Sequence, residues 1–340
     1  MSKHGTKFGK VYVAVLLCSI TPLVLFFLSS GKSEIREKNY PEEVYGLSCD
    51  NGRFKRTWEV GANSFQPEYL TYLKVGRNGR LGNQLFQIAS TIGIAEQSNL
   101  SWAFPEDIAQ TSAGKLFEMR GISTLQAFDC LEYRERDENT YNISLPLTPE
   151  KHILSLYGYF QSWQYFQHSY PTLRRHLKIS PRLIEDVKHQ VPEIKLPNAV
   201  TVHVRRGDYE KLSRQYYLLD EEYYTRALSR IYHIDVVIIV SDDVSWCEKH
   251  LSHILPYRVV IRPSGDELFD FVLLHLGKHV VIANSTYSWW AAFLKMIHAG
   301  ESMESIGTII APDKMFRYDG SLSHLNRISF FHPEWTLINT

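Results

Sequence analysis

Polar and apolar positions fall into two rhythms, kept most cleanly in the second half of the chain. Val200, Val202 and Val204 alternate with Thr201 and His203, a period of two that predicts a buried strand. The stretch Asp235–Asp243 is apolar through its middle and predicts a second buried strand, ending in carboxylates. Tyr257–Arg262, Lys278–Ala283 and Thr308–Ala311 predict three more. Helical spacing fills the gaps at Asp220–Ile231, Asp266–Leu276 and Trp289–Ile297. This alternation predicts a parallel sheet with helices on both faces.

The first half opens with a strand at Glu68–Val75 and a glycine-rich turn at Gly76–Gln84. Leu85, Ile88, Ala89, Ile92 and Ala95 then recur at helical spacing. Strand, glycine turn and helix together bring backbone N–H groups towards a ligand, although neither GxxxxGK[ST] nor GxGxxG is present. Leu100–Phe104 and Ile153–Phe160 predict further strands, whereas 105–150 has no readable period. Helices are predicted near 163–178 and 181–190, and Pro192 and Pro197 mark a boundary. The expected organisation is an α/β domain over 66–192 and a second over 193–340.

Length agrees with that division, since 340 residues suffice for about two domains with substantial cores. Lys+Arg and Asp+Glu balance at 37 each, which excludes whole-molecule attraction to nucleic acid. An anionic ligand must therefore be held by a local cluster. Before the first domain, Val11–Leu28 carries no charge and follows Lys3, Lys7 and Lys10. At 1.5 Å per residue it spans roughly 27 Å, close to a thin bilayer. A cleaved signal peptide is the alternative, with Ser29-Ser30-Gly31 as a weak cleavage site, but the apolar run exceeds the usual core of such peptides. The expected order is a cytosolic tail (1–10), a signal-anchor (11–28) and a polar stem (29–65). Cys49, Cys130 and Cys247 outside the anchor allow at most one intramolecular disulfide. Sequons occur at Asn99, Asn142 and Asn284.

Candidate chemistry concentrates at three predicted strand ends: Arg205-Arg206-Gly207-Asp208, Ser241-Asp242-Asp243 and Asn284-Ser285-Thr286. A doubly wound sheet gathers such ends along one rim. Arg205 and Arg206 offer planar forks for a diphosphate, and Ser285, Thr286 and the following helix start offer hydroxyls and N–H groups. A carboxylate of Ser241-Asp242-Asp243 can accept from a nucleobase or a ribose. Blander roles stand beside each of these: a strand-end cap at Asp242, an N-cap at Ser285-Thr286, core packing for Trp289-Trp290. No Asp-x-Asp triplet or Cys/His cluster of ligand spacing is present, so no metal is expected, and the arginines are expected to neutralise the leaving group.

Five segments resemble the α-1,2-fucosyltransferase family, glycosyltransferase family eleven, in the looser form of its invertebrate branches. They are Gly79–Gln87, Gly158–Ser162, His203–Tyr209, Ser241–Asp243 and Asn284–Phe293, and they occur in the family's order over roughly 70–320. The resemblance implies a single-pass type II Golgi membrane protein with a GT-B-like pair of Rossmann-like domains facing a cleft. It implies GDP-fucose as donor, inversion at the fucose anomeric carbon, no metal, and O2 of a terminal β-galactose on a glycan as acceptor. Arg205 would hold the β-phosphate, with His203, Arg206, Ser241, Asp242, Asn284, Ser285 and Thr286 completing the nucleotide site. Asn83 and Asp208 join Arg205 as catalytic candidates, with Glu210 or a water relay as other bases, and Arg80 and Gln84 would face the acceptor. A glycan on Asn284 would block this cleft, so Asn99 and Asn142 are the expected glycosylation sites. The rival readings are a Golgi transferase with another activated donor, such as a sulfotransferase, and an inactive glycan-binding relative. The absence of a P-loop-like motif argues against the first, and the intact Arg205, Asp208 and Asn83 against the second.

Overall fold

A computed structural model describes residues 69–121, 130–135, 141, 143, 145, 153–263, 265–299, 306–323 and 330–340, preceded by two short strands at 47–50 and 53–56. The expected anchor and its flanking lysines, and Asn142, lie outside the described residues. Among the described residues no helix is long and apolar enough to cross a membrane. The segment read as a polar stem holds an antiparallel hairpin, β1 (Leu47–Asp50) and β2 (Arg53–Arg56).

The first sheet has four parallel strands: β3 (Tyr69–Thr71), β4 (Ser101–Trp102), β5 (Cys130–Arg134) and β6 (Ile153–Tyr157), in the order β4-β3-β6-β5. Two helices follow β3: α1 (Leu81–Gln97) and, after β4, α2 (Ser112–Phe117). Helix α1 starts four residues earlier than the apolar spacing predicts, so Gly82, Asn83 and Gln84 are helical rather than part of the turn. Strand β5 escaped the sequence reading because Glu132 and Arg134 interrupt its apolar positions; Glu132 is nonetheless buried, paired to Lys74 at 2.8 Å and Arg134 at 3.0 Å. Helices α3 (Tyr170–His176) and α4 (Pro181–Gln190) lead to the second sheet.

That sheet has six parallel strands: β7 (Ala199–Val204), β8 (Val236–Ser241), β9 (Val259–Pro263), β10 (His279–Val281), β11 (Ile309–Pro312) and β12 (Thr336–Ile338). Their order is β12-β11-β10-β7-β8-β9, with every pairing parallel. Read from β9, this is the doubly wound order of dinucleotide-binding sheets, with its switch point between β7 and β10. The connecting helices are α5 (Gly207–Lys211), α6 (Glu221–Leu228), α7 (Val244–His250), α8 (Glu267–Leu276) and α9 (Thr286–His298).

The period-two pattern of β7 divides its side chains between two cores. Val200, Val202 and Val204 enter one cluster with Tyr223, Tyr224, Ile239 and Cys247. Thr201 and His203 face the other side, where Thr201 Oγ1 donates to Leu274 O and His203 meets Ser288. The larger cluster runs without a break from Leu70 and Phe86 through Trp290 and Phe293 to Trp335, so both sheets share it. Trp289 and Trp290 are wholly buried within it, which is the packing role expected of them.

Candidate active site

Register brings the three polar strand ends together. Val204 lies opposite Ser241 on β8, and Val202 lies opposite Val281 on β10. The residues leaving β7 therefore emerge between those leaving β8 and β10, at the switch point where open α/β sheets form a crevice. Arg205 is the first of them. One Nη2 hydrogen bond reaches Asp208 Oδ1 at 2.5 Å, and Nη1 pairs with Asp242 Oδ2 at 2.7 Å. Its guanidinium lies 5.5 Å from the centre of the Tyr209 ring. Two carboxylates and an aromatic ring thus hold one planar cation in a defined orientation at the rim. Asp242 also accepts the Arg206 N–H through Oδ1 at 2.8 Å, so both its oxygens brace the turn after β7. A methyl group on Gly207 would run into the Asp242 carboxylate, so glycine leaves that side chain its place.

The two adjacent guanidiniums part company. Arg206 lies 4.3 Å from the centre of the Trp246 ring, with Nη2 donating to Glu210 at 3.2 Å and Nε 3.7 Å from Asp243 Oδ2. It ties α5 to α7, whereas Arg205 pairs with Asp208 and with Asp242 after β8. Successive residues leaving a strand point to opposite sides, which accounts for the divergence. The two expected phosphate forks thus have separate partners, Asp208 and Asp242 for Arg205 and Glu210 and Asp243 for Arg206. Glu210, the other carboxylate considered as a base, is occupied with Arg206.

Helix α9 follows Asn284, whose carbonyl accepts from the hydroxyl of Tyr209, the ring that lies against Arg205, at 3.0 Å. Ser285 is its N-cap, its hydroxyl accepting from Tyr287 N. Thr286 Oγ1 donates to Asn83 Oδ1 at 3.2 Å, and the same oxygen accepts from Gln161 Nε2 at 2.8 Å. One amide oxygen thereby joins α1, the loop after β6 and α9. Gly82 lets the helix starts approach this closely, since a methyl group there would lie 2.6 Å from Thr286 Oγ1. Glu267, at the start of α8, accepts from Leu81 N at 3.5 Å and Ser112 Oγ at 2.6 Å, a bridge that sequence reading missed. The starts of α1 and α9 thus converge. From the α1 side, exposed Arg80 reaches Asp208 Oδ2 at 3.8 Å, so Asp208 contacts an arginine from each half.

The remaining candidates have inward-facing roles. His203 is buried, with Nδ1 2.8 Å from Ser288 Oγ. Burial, with Arg205 nearby, drives its pKa down to about 3, so the ring is neutral near pH 7. Ser241 is buried and accepts from Asp243 N at 2.9 Å, closing the turn into α7. Gln84, expected at the cleft, is instead buried; its Oε1 accepts from Ala113 N at 3.0 Å and fixes α2 against α1. Asn284, expected among the nucleotide contacts, is also turned inward. It is wholly buried, and Nδ2 donates to Tyr217 O and Met315 O, each at 3.1 Å. Both amide hydrogens are engaged, which agrees with an unmodified sequon, whereas Asn99 is exposed. Cys247 is a buried free thiol whose pKa burial pushes up to about 11. Among the described residues, no three His, Cys, Asp or Glu side chains are grouped to hold a metal ion.

The family model for glycosyl transferase family 11 matches residues 48–339. Among curated proteins, the chain is 26% identical to the galactoside alpha-(1,2)-fucosyltransferase 1 of Pan troglodytes, over 96% of this chain and 94% of that one. It is 26% identical to the galactoside 2-alpha-L-fucosyltransferase SEC1 of Bos taurus, over 77% of this chain and 72% of that one. It is 31% identical to an alpha-1,2-colitosyltransferase of Escherichia coli, over 47% of this chain and 55% of that one. Among solved structures, a NodZ alpha-1,6-fucosyltransferase co-crystallized with GDP matches with a TM-score of 0.46 and 12% identity, over 67% of this chain and 93% of that one. POFUT1 in complex with GDP matches with a TM-score of 0.43 and 12% identity, over 71% and 97%.

Proposed function

Because the chain belongs to glycosyl transferase family 11, we propose that it transfers L-fucose from GDP-fucose, with inversion, to O2 of a terminal β-galactose on a glycan. The observation that carries this reading is Arg205, braced by Asp242 and Asp208 at the switch point and lying against Tyr209, whose hydroxyl donates to Asn284 O just before α9. A diphosphate needs such a fixed cation together with N–H donors, and a neutral sugar ligand alone does not. The relatives named as galactoside fucosyltransferases support fucose as the sugar and galactose as the acceptor. A donor outside sugar nucleotides is not favoured by membership of this family.

The fucose–phosphate bond breaks as Arg205 and the α9 N-terminus take up negative charge on the departing GDP. That stabilisation is aimed where charge develops, which is the condition for it to lower the barrier. The acceptor hydroxyl attacks from the opposite face, and Asp208, half-exposed between Arg205 and Arg80, takes its proton. Asn83 and Thr286 hold the facing walls of the crevice together, and Arg80 lines its acceptor side. The reading assigns charge neutralisation to these groups without a metal ion. It also treats 66–192 and 193–340 as the two halves of a GT-B-like arrangement and residues 11–28 as a type II Golgi anchor.

The test is an assay of the purified full chain with GDP-fucose and a small panel of β-galactosides, with and without EDTA, followed by assignment of the product linkage. The reading expects α-1,2-linked product from at least one galactoside, at a rate unchanged by EDTA. Transfer to another hydroxyl only, or activity abolished by EDTA and restored by a divalent ion, would refute it.

A further inference from the structure

A shelf of tyrosines adjoins this site on the side away from β8. The segments 214–218 and 314–320, which follow β7 and β11, are bound to each other. Arg317 N donates to Gln215 O at 2.8 Å, Tyr216 and Phe316 form an antiparallel bridge, and Tyr318 N donates to Tyr217 Oη at 3.4 Å. Buried Asn284 fastens both segments to the end of β10 through its bonds to Tyr217 O and Met315 O. Aromatic contacts then run outward from the reactive cation. The Tyr209 ring beside Arg205 stacks on Tyr216 at 4.1 Å and 21°, and Tyr216 lies 5.3 Å from Phe316.

At the outer end, Lys314 Nζ lies 4.9 Å from the centre of the Tyr318 ring and 5.9 Å from that of Tyr217. Arg317 lies 5.7 Å from Tyr217. Lys314 is itself tied to Thr340 O at 2.8 Å and Asp313 at 3.1 Å, so the cation beneath the rings is fixed. Tyr318 is nevertheless 67% exposed, a large ring set against that cation, its backbone bonded to Tyr217 and its ring open to solvent. A pre-positioned ring loses little conformational freedom when it binds. Its electron-rich face suits the weakly polarised C–H groups on one face of a pyranose, and the phenol hydroxyl suits the sugar's rim.

We propose that Tyr217 and Tyr318 form an acceptor platform, on which the second sugar of a β-galactosyl glycan stacks while the terminal galactose lies between Tyr216 and Asp208. This rests on the fucosyl-transfer reading and adds the residues that select an extended acceptor over a single galactose. Asn284 is then a positioning residue, bracing the platform rather than touching the nucleotide.

Saturation-transfer NMR with lactose as probe and the GDP-loaded full chain tests the proposal independently of turnover. In the native protein both sugar rings receive saturation. In Tyr318→Ala and in Tyr217→Ala, the signals of the second ring fall at least fivefold relative to the galactose signals, and Tyr318→Trp restores them. Titration with GDP on the same samples checks folding and the donor site, with affinities within twofold of the native protein expected. Equal ring signals in native and alanine variants, or none in the GDP-loaded native protein, would overturn the platform. A native protein that fails to bind GDP would instead overturn the donor reading beneath it.

Discussion

Arg205 and Arg206 are neighbours with the same chemistry and different partners. Asp242 and Asp208 hold Arg205, whereas Trp246 and Glu210 draw Arg206 aside. Arg205→Lys keeps the charge and loses the planar fork. The expected cost is about 2–4 kcal/mol of transition-state stabilisation, on the order of 10²–10³ in kcat/KM for GDP-fucose. Steady-state kinetics that left kcat/KM within threefold of native would remove Arg205 from this role. Asn284 gives a second prediction at the same scale. Asn284 is wholly buried and both its donors serve backbone carbonyls, so glycopeptide mapping is expected to find Asn284 bare. A glycan there would contradict the burial. Sequence alone marks a sequon and a motif at this position, but it does not say that the amide is wholly buried, nor that Gln84 and Ser241 are buried too.

Among the elements, the convergence of α1 and α9 is what assembles the site. Gly82 lies where the two starts touch, opposite the Thr286 backbone. Alanine has the better helix propensity by about 1 kcal/mol. The added methyl group, however, meets backbone of another helix, which cannot rotate away, and overpacking of this kind costs about 1–3 kcal/mol. Gly82→Ala is therefore expected to lower the Tm and raise the KM for GDP-fucose together. A variant as stable and active as the native protein would show that the helix starts have room to separate. Strands β7–β11 and helices α6, α8 and α9 of the second half were legible because buried parallel strands are largely apolar and helices carry caps such as Asp220 and Asp266, whereas the short helices α5 and α7 were not read. Strand β5 and the edge strand β12 were not. In β5 a paired Glu132 hides the apolar rhythm, and β12 has two exposed positions among three.

For the whole molecule, the shared core and its buried imidazoles set a pH dependence. Burial lowers the pKa of His203 and His275 to about 3, and lowers those of His298 and His332. In the unfolded chain each ring protonates near pH 6.5. Between about pH 6.5 and 3 the unfolded state therefore binds more protons, so stability is greatest above pH 6.5 and falls as the pH drops. Calorimetric Tm values at pH 7.5, 6 and 5 are expected to decrease in that order, and a Tm that held constant or rose on acidification would contradict the neutral burial of these rings. The order β12-β11-β10-β7-β8-β9 was only partly legible at this scale. Alternating strands and helices imply parallel pairing, but the position of each strand in the sheet depends on which core face each crossover covers. The most direct measurement of the central claim is isothermal titration of GDP in EDTA against the native chain and Arg205→Lys. The account predicts one GDP bound per native chain without metal and at least tenfold weaker binding to the variant; equal affinities, or native binding that appears only when a divalent ion is added, would contradict it.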